Sequence, residues 1–227
     1  MSVIAAVRKA RRLVIAADSQ DNFGDLRPPP DNHSALKVRA VGDAWLGCSG
    51  WAVYDDLFGH YLQKRSTRAN LHPREDIFEF FLKFWRAIRA DYPFVNEQSR
   101  SEDKTPFADL DATFLIASPG GIFLVSSNMS VSRFEKYYAI GSGGDYALGA
   151  LHALYDGEDN ALGLAERAIA AAKAYDSGCG GATTAPGPGE EPDTKRPASR
   201  GPDPGTTQRS PGLVTRPRLP PRARPWR

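Results

Sequence analysis

Segments of one secondary-structure type follow each other in pairs along this chain, and that order limits the fold more than any single motif. Small or β-branched residues at 2–7 and 13–17 flank a basic turn at 8–12, and apolar residues at 36–41 and 44–49 flank a Gly-Asp turn. Both pairs have the form of a β-hairpin. Hairpins near the start of a chain indicate antiparallel sheet, because parallel strands need longer crossover connections.

Helical patterns also come in pairs, one in the middle of the chain and one near its end. Apolar residues recur at helical spacing at 52–63, 77–88, 146–154 and 161–175, with Pro73 near the first turn of the second helix. Strand patterns lie between the pairs at 112–117, 122–126 and 137–140, after a polar loop predicted over 91–107. The order of four strands, two helices, three strands and two helices predicts stacked antiparallel sheets covered by helices, an α+β fold.

A change of composition near Gly181 divides the chain. Residues 182–227 hold 11 of the 18 prolines and nine Lys or Arg against four Asp or Glu, with few aliphatic side chains. We therefore expect a globular domain at 2–181 and a disordered Pro/Arg/Gly-rich tail at 182–227. The net charge of +2 minus the tail's +5 leaves about −3 on the first 181 residues, which does not favour nucleic acid as a partner.

Several classes of protein are disfavoured by what the sequence lacks. No apolar run approaches the roughly 20 residues of a membrane span, and no apolar leader marks secretion. Two cysteines and four histidines show no metal-ligand spacing, so we expect neither a metal nor another cofactor. With so few cysteines, a reducing cytoplasm is the expected compartment.

Ser2 is the first candidate for chemistry. A residue this small after Met1 permits removal of the methionine, which would leave a hydroxyl and a free α-amino group on one residue. A serine hydroxyl needs a base to become a nucleophile, and an α-amino group with a pKa of about 7.7 to 8.0 can act as that base. The alternative is an ordinary frayed terminus.

Asp18 and Lys37 are the next candidates. Asp18 ends the apolar strand at 14–17, and Lys37 begins another strand after a loop. A buried carboxylate would hold the lysine ammonium in place, and that positive charge would lower the pKa of a neighbouring hydroxyl or amine. The alternatives are a turn cap for Asp18 and a solvated surface charge for Lys37.

The spacing of these three residues resembles that of the proteasome β subunits and of HslV, an N-terminal nucleophile (Ntn) hydrolase family. In that family a threonine opens the first strand, an aspartate ends the second and a lysine begins the third. Ser2, Asp18 and Lys37 occupy the matching places. The resemblance implies a four-layer αββα sandwich of two antiparallel sheets, with serine at the nucleophile position.

Four further residues match the family at separate motifs. Gly50 in Leu-Gly-Cys-Ser-Gly matches the glycine whose N–H serves as oxyanion donor, although a hairpin or helix-start glycine is the alternative. Ser142, in Gly-Ser-Gly-Gly, matches the serine that supports the terminal amine; a phosphate cradle is disfavoured because the Walker lysine and GxGxxG are missing. Asp176 and Cys179 match the closing Asp-x-x-Ser-Gly-Gly, with cysteine in place of the serine.

The resemblance implies a peptidase that cleaves peptide amide bonds through an acyl-enzyme ester on Ser2. Expected partners are a peptide or unfolded protein as substrate and further copies of the chain in a ring, with an ATPase unfoldase left open. Family members continue into further strands where this chain turns into its tail, so the sheet is expected to have an open edge and to lack its last strands. A small-amide hydrolase, a catalytically silent proteasome-like scaffold and the product of a damaged gene are the alternatives.

Overall fold

Two antiparallel sheets form the centre of the fold in the computed structural model, which describes residues 1–64, 69–92, 110–157 and 160–186. The first sheet has the order β8-β1-β2-β9. Its strands are β1 (Ile4–Lys9), β2 (Arg12–Asp18), β8 (Tyr137–Ile140) and β9 (Thr183–Thr184). The chain therefore enters this sheet at its centre, since β1 pairs with β2 on one side and with β8 on the other.

The second sheet has the order β3-β4-β5-β6-β7. Its strands are β3 (Val38–Val41), β4 (Ala44–Gly50), β5 (Ala112–Ser118), β6 (Gly121–Val125) and β7 (Val131–Phe134). Each strand pairs with its neighbour in sequence. The sheet is therefore a simple antiparallel meander interrupted by the helices inserted after β4.

Three buried clusters separate four layers. Ile4, Ile15 and Leu115 belong to the cluster between the two sheets. Helices α1 (Ala52–Lys64) and α2 (Arg74–Asp91) cover the outer face of the second sheet through an aromatic cluster, and α3 (Gly144–Leu154) and α4 (Ala161–Tyr175) cover the outer face of the first through an alanine-rich one. The predicted αββα sandwich is confirmed, and every described residue belongs to one compact unit.

The first hairpin differs from its prediction. The turn expected at 8–12 consists only of Ala10 and Arg11, and Lys9 pairs with Arg12 across it. Both turn residues have positive φ, 47° and 65°, as a type I′ turn requires. That tight turn matches the twist of the strands, so the flanking basic residues continue the ladder instead of forming a loop.

Two strands were missing from the predicted order of elements. β7 is a short edge strand whose central residues Ser132 and Arg133 are exposed, so it lacks the apolar pattern that marks a buried strand. β9 consists of two residues that pair with the end of β2, Thr184 with Ala17 and Thr183 with Asp18. It extends the first sheet beyond Gly181, whereas most of the loop predicted over 91–107 and the tail from residue 187 lie outside the described residues.

Candidate active site

A buried ion pair joins the end of β2 to the start of β3. Lys37 Nζ lies 2.8 Å from Asp18 Oδ1, and the two side chains are only 6% and 0% exposed. The Asp18 carboxylate also accepts hydrogen bonds from the backbone N–H groups of Val3, Gln20 and Gly180, at 2.9, 3.2 and 3.0 Å. Lys37 is thus not a solvated surface charge, and Asp18 does more than cap a turn because it ties together three segments of chain.

Ser2 lies beside this ion pair and is 7% exposed. Val3, its neighbour, exchanges two hydrogen bonds with Asp18: the N–H of Val3 donates to the carboxylate at 2.9 Å, and its carbonyl accepts from the Asp18 N–H at 3.2 Å. On the other side, the Ser2 carbonyl accepts from the Gly143 N–H at 3.2 Å. The start of the chain is therefore held by hydrogen bonds on both sides at residues 2 and 3 and is not frayed there.

The nitrogen of Ser2 is a peptide nitrogen here, because Met1 is still attached; it stands where the free amine would lie after removal of Met1. This nitrogen donates to Ser142 Oγ at 3.2 Å. The Ser2 hydroxyl donates to the Met1 carbonyl at 2.6 Å, an oxygen that leaves with the methionine. Removal of Met1 would thus free both the amine and the hydroxyl of the same residue.

Ser142 connects Ser2 to the turn that carries Asp176 and Cys179. The Asp176 carboxylate accepts from the Cys179 thiol at 3.2 Å and from the Gly178 N–H at 2.8 Å. Burial raises the pKa of Asp176, but hydrogen bonds from Ser142, Gly178 and Cys179, together with the charge of the chain's amino terminus, outweigh it and lower the pKa. Asp176 is therefore ionised at neutral pH and can accept hydrogen bonds that orient an amine.

Cys179 acts as a hydrogen-bond donor in this turn. Burial, the hydrogen bond to Asp176 and the negative charges of Asp18 and Asp176 raise the pKa of its thiol to about 12. The thiol therefore keeps its proton at neutral pH and is a poor nucleophile. Both cysteines of the chain, Cys48 and Cys179, are free.

Gly50 and Gly141 allow close backbone approaches, Gly50 to Asp111 and Gly141 to Ser2. Gly50 ends β4 with a φ of +148°, and a Cβ there would lie 2.3 Å from the carbonyl oxygen of Asp111. Gly141 has a φ of +95°, and a Cβ there would lie 2.1 Å from the Ser2 carbonyl oxygen and 3.1 Å from Ser49 Oγ. Only glycine fits either position, and the Gly141 contact places the last residues of β4 next to Ser2.

The sequence analysis missed residues that hold the site together. Gln20 Nε2 donates to the carbonyl of Ser177 at 2.9 Å, and Asn22 Nδ2 donates to the carbonyl of Gly178 at 3.1 Å. These side chains fasten the loop after Asp18 to the turn with Asp176. Their position directly after Asp18 was the available signal, but their partners lie more than 150 residues away in sequence and no local pattern marks them.

The parts of the chain that the structure describes show neither a metal site nor a membrane span. They contain no group of three or more His, Cys, Asp or Glu side chains that could hold a metal ion. None of their helices combines the length and apolar composition that crossing a bilayer requires.

Comparison with known proteins supports the architecture. No protein-family model matches the chain. Thiobacillus denitrificans BPH superposes with a TM-score of 0.71 at 28% identity over 81% of this chain and 95% of that chain. BPH from the same organism in complex with epoxomicin gives 0.70 at 27% identity, over 81% and 96%. HslV from Trypanosoma brucei gives 0.56 at 20% identity, over 81% and 97%.

The chain has the proteasome/HslV-like fold. Within this fold, the candidate residues come from both sheets and from two turns. Ser2 lies just before β1 and Asp18 ends β2 in the first sheet. Lys37 lies just before β3 and Gly50 ends β4 in the second, and Ser142 stands in the turn before α3. The fold thus brings Ser142 to Ser2 across 140 positions of the chain, and Gly180 to Asp18 across 162.

Proposed function

We propose that this chain is a proteasome-like peptidase that hydrolyses peptide amide bonds with Ser2 as its nucleophile. The observation that carries the proposal is the position of Ser2: its nitrogen is hydrogen-bonded to Ser142, and the residue is buried beside the Asp18–Lys37 ion pair. A hydroxyl, an amine site and a buried cation next to each other are the parts that an N-terminal nucleophile needs.

The first half of the reaction forms an ester on Ser2. The free α-amino group takes the proton from Ser2 Oγ, directly or through a water molecule, while Oγ bonds to the carbonyl carbon of the substrate. The N–H of Gly50 donates to the oxyanion that develops, a contribution of about 3 to 4 kcal/mol where such a donor is well placed. The C–N bond then breaks, and the amine passes its proton to the departing nitrogen.

Hydrolysis of the ester restores the enzyme. The same amine takes a proton from water as the water oxygen attacks the ester carbonyl, and then returns that proton to Ser2 Oγ as the acid product leaves. The positive charge of Lys37, held by Asp18, lowers the pKa of the Ser2 hydroxyl or amine. Ser142, Asp176 and Cys179 orient the amine through the chain of hydrogen bonds that ends on the Asp176 carboxylate.

Serine at position 2 changes the rate and not the type of reaction. Serine lacks the β-methyl group that restricts the χ1 rotamer of threonine. The Ser2 side chain therefore samples more orientations, and we expect slower turnover than for a threonine at the same position.

The comparisons support the choice of probe and of partners. BPH has been solved in complex with epoxomicin, and we expect this chain to react with peptide epoxyketones as well. By resemblance we also propose a peptide or unfolded-protein substrate, assembly of several copies into a ring and a cytoplasmic location. An ATPase partner stays an open alternative.

Intact-mass analysis combined with probe labelling tests the proposal. The purified protein should lack Met1, and incubation with a peptide epoxyketone should add one probe, which tandem mass spectrometry locates on residue 2. Ser2→Ala is the control and should not be labelled. A protein that keeps Met1, or a probe attached elsewhere, would leave the catalytically silent scaffold as the better account.

A further inference from the structure

Five basic side chains gather at the end of the first sheet that lies opposite Ser2. They are Arg8, Lys9, Arg11, Arg12 and Lys136, and we call this group the basic end. Four of them belong to the hairpin of β1 and β2, and Lys136 is joined to that hairpin because its carbonyl accepts from the Arg8 N–H at 2.7 Å. At a rise of about 3.3 Å per residue, β1 places the turn roughly 25 Å from Ser2. The basic end therefore takes no part in the chemistry proposed above.

Little negative charge balances the basic end. Glu135 pairs with Arg133 at 3.5 Å, and Asp156 follows Tyr155 just after α3. Within the described part of the chain, none of the five basic side chains forms a salt bridge. Since the first 181 residues carry a net charge of about −3, the positive charge is concentrated at one end of an acidic domain.

Tyr155 holds the two lysines of the basic end in place. Lys9 Nζ donates to the Tyr155 carbonyl and lies 4.3 Å from the centre of its ring, and Lys136 Nζ lies 4.9 Å from the same point. The Tyr155 hydroxyl donates to the Arg8 carbonyl at 2.6 Å. An aromatic face attracts cations, and the end of a helix carries partial negative charge. These contacts allow the lysines to lie close together without a carboxylate between them.

Arg11 and Arg12 have no such support. Both side chains are exposed, and no described residue accepts a hydrogen bond from either guanidinium group. A guanidinium group presents a planar set of donors that matches the two oxygens of a carboxylate. These two side chains are therefore free to bind a carboxylate from outside the chain.

The stability of the turn does not account for either arginine. Arg11 has a φ of 65°, a left-handed conformation that favours Gly or Asn. Arg12 pairs directly with Lys9 across the strands, and like charges at opposed positions destabilise a sheet. The turn thus keeps its two free cations at a cost in stability, which indicates a role in binding.

A short acidic peptide suits the basic end better than nucleic acid or a membrane does. Bases stack on free aromatic rings, but two ammonium groups already lie over the ring of Tyr155, and the acidic remainder of the domain repels a long polyanion. Proteins that lie on anionic membranes also insert apolar side chains, and Ala10 is the only apolar residue from 8 to 12. A short run of carboxylates needs only the few cations present here.

We infer that the basic end is a docking surface for an acidic segment of a partner protein. Arg11 and Arg12 contact the carboxylates of this segment, and Lys9 and Lys136, positioned by Tyr155, add to the positive potential. Docking leaves the candidate active site open, since Ser2 lies at the other end of β1. The inference goes beyond the proposed function and does not depend on Ser2 being the nucleophile.

Fluorescence anisotropy of the full chain tests the inference with a labelled ten-residue peptide in which Glu and Ser alternate. A peptide with Gln in place of Glu is the control ligand. At a salt concentration of about 0.15 M, which screens distant charges, the acidic peptide should bind saturably and the control peptide should not. Arg11→Gly and Arg12→Glu should each weaken binding about fivefold or more.

Unfolding curves separate a binding role of the two arginines from a structural one. Arg11→Gly places glycine at a positive φ, and Arg12→Glu puts a carboxylate opposite Lys9. Both changes should leave the midpoint of urea unfolding unchanged or raise it. Weaker binding by a protein that is at least as stable as the wild type supports the inference. Wild-type affinity in both variants overturns it.

A matched variant in the segment 182–227 controls for non-specific attraction, because that segment also carries net positive charge. Arg216→Glu makes the same change of charge as Arg12→Glu and should leave the Kd within about twofold. Equal weakening by these two variants, or no saturable binding below about 100 µM, would overturn the inference. Tighter binding of a ten-nucleotide oligothymidylate, or of vesicles that contain phosphatidylserine, would also overturn it, because the partner would then belong to another class.

Discussion

Lys37 Nζ lies 2.8 Å from the Asp18 carboxylate in a place where both side chains are almost fully buried. The pair joins the two sheets, because Asp18 ends β2 of the first and Lys37 precedes β3 of the second. A buried ion pair seldom adds net stability over apolar residues of the same volume. Its position beside Ser2 suggests that this pair serves the site, and that its loss would affect both folding and activity.

Replacement of Asp18 should be costly. Asp18→Ala leaves the Lys37 ammonium buried without a counter-charge and removes the acceptor of three backbone N–H groups. We expect a loss of about 3 to 5 kcal/mol in the free energy of unfolding. Lys37→Met should cost less, because the Asp18 carboxylate keeps its N–H donors. Urea titration followed by circular dichroism measures both values.

Asp43→Ala is the matched control for Asp18→Ala. Asp43 also pairs with a basic side chain, His72 at 3.0 Å, but the Asp43 side chain is 46% exposed. A surface pair of this kind contributes about 0 to 1 kcal/mol. An equal loss in the free energy of unfolding for the two variants would mean that the Asp18–Lys37 pair does not hold the two sheets together.

Gly50→Ala should damage both the fold and the reaction. The φ of +148° disfavours any side chain, and a Cβ would lie 2.3 Å from the Asp111 carbonyl oxygen. We expect destabilisation of about 1 to 3 kcal/mol and a loss of peptide hydrolysis, because the Gly50 N–H must move. Gly149→Ala, in α3 with nothing within 4 Å of its Cβ, should instead stabilise the protein by about 0.4 to 1 kcal/mol. If Gly50→Ala were stable and fully active, Gly50 would have no role in the site.

Cys179 should be replaceable by serine but not by alanine. Serine can donate the same hydrogen bond to Asp176 that the thiol makes at 3.2 Å, so Cys179→Ser should keep kcat/KM within about threefold. Cys179→Ala removes one of the donors that lower the pKa of Asp176, and we expect about a tenfold loss of kcat/KM. Equal activity of the two variants would show that the donor is unnecessary.

Both thiols should be unreactive in the folded protein. Burial comes first among the causes that raise the pKa of Cys48, followed by the charge of Asp55, and the pKa of Cys179 is raised to about 12. At pH 8 the thiolate fraction is therefore very small, and a disulfide reagent such as Ellman's should modify neither residue until urea unfolds the chain. Rapid reaction of a cysteine in the native protein would contradict this.

The raised pKa of Cys179 should make the protein less stable as the pH rises. An unfolded cysteine ionises near pH 8.5, whereas folded Cys179 keeps its proton to about pH 12. The unfolded state therefore loses its proton first as the pH rises, and stability should fall between these values. The wild-type protein should lose more stability over this window than Cys179→Ser, because serine does not titrate there and Cys48 contributes equally in both proteins.

The layers of the fold followed from the sequence because hairpin strands and paired helices leave few arrangements. The pattern of α2 was easy to detect, since its buried residues recur along one face. β7 was not easy to detect, because Ser132 and Arg133 are exposed. This strand forms through its pairing with β6, and its own residues show no strand pattern. β9 was missed because two threonines form no pattern at all.

The candidate site was predictable from the sequence where a charged side chain contributes to it, and not where a backbone N–H group does. Asp18 and Lys37 stood out as charges at the ends of apolar strands. The N–H groups of Val3 and Gly180, which complete the coordination of Asp18, have no signature in sequence.

Peptide hydrolysis by Ser2→Ala tests the central claim most directly. The measurement compares kcat/KM of this variant and of the wild-type protein, both confirmed by mass to lack Met1, with unfolding curves to show that both are folded. Removal of a nucleophile should reduce the rate by a factor of about a thousand or more. Cleavage at the wild-type rate by Ser2→Ala would contradict the account.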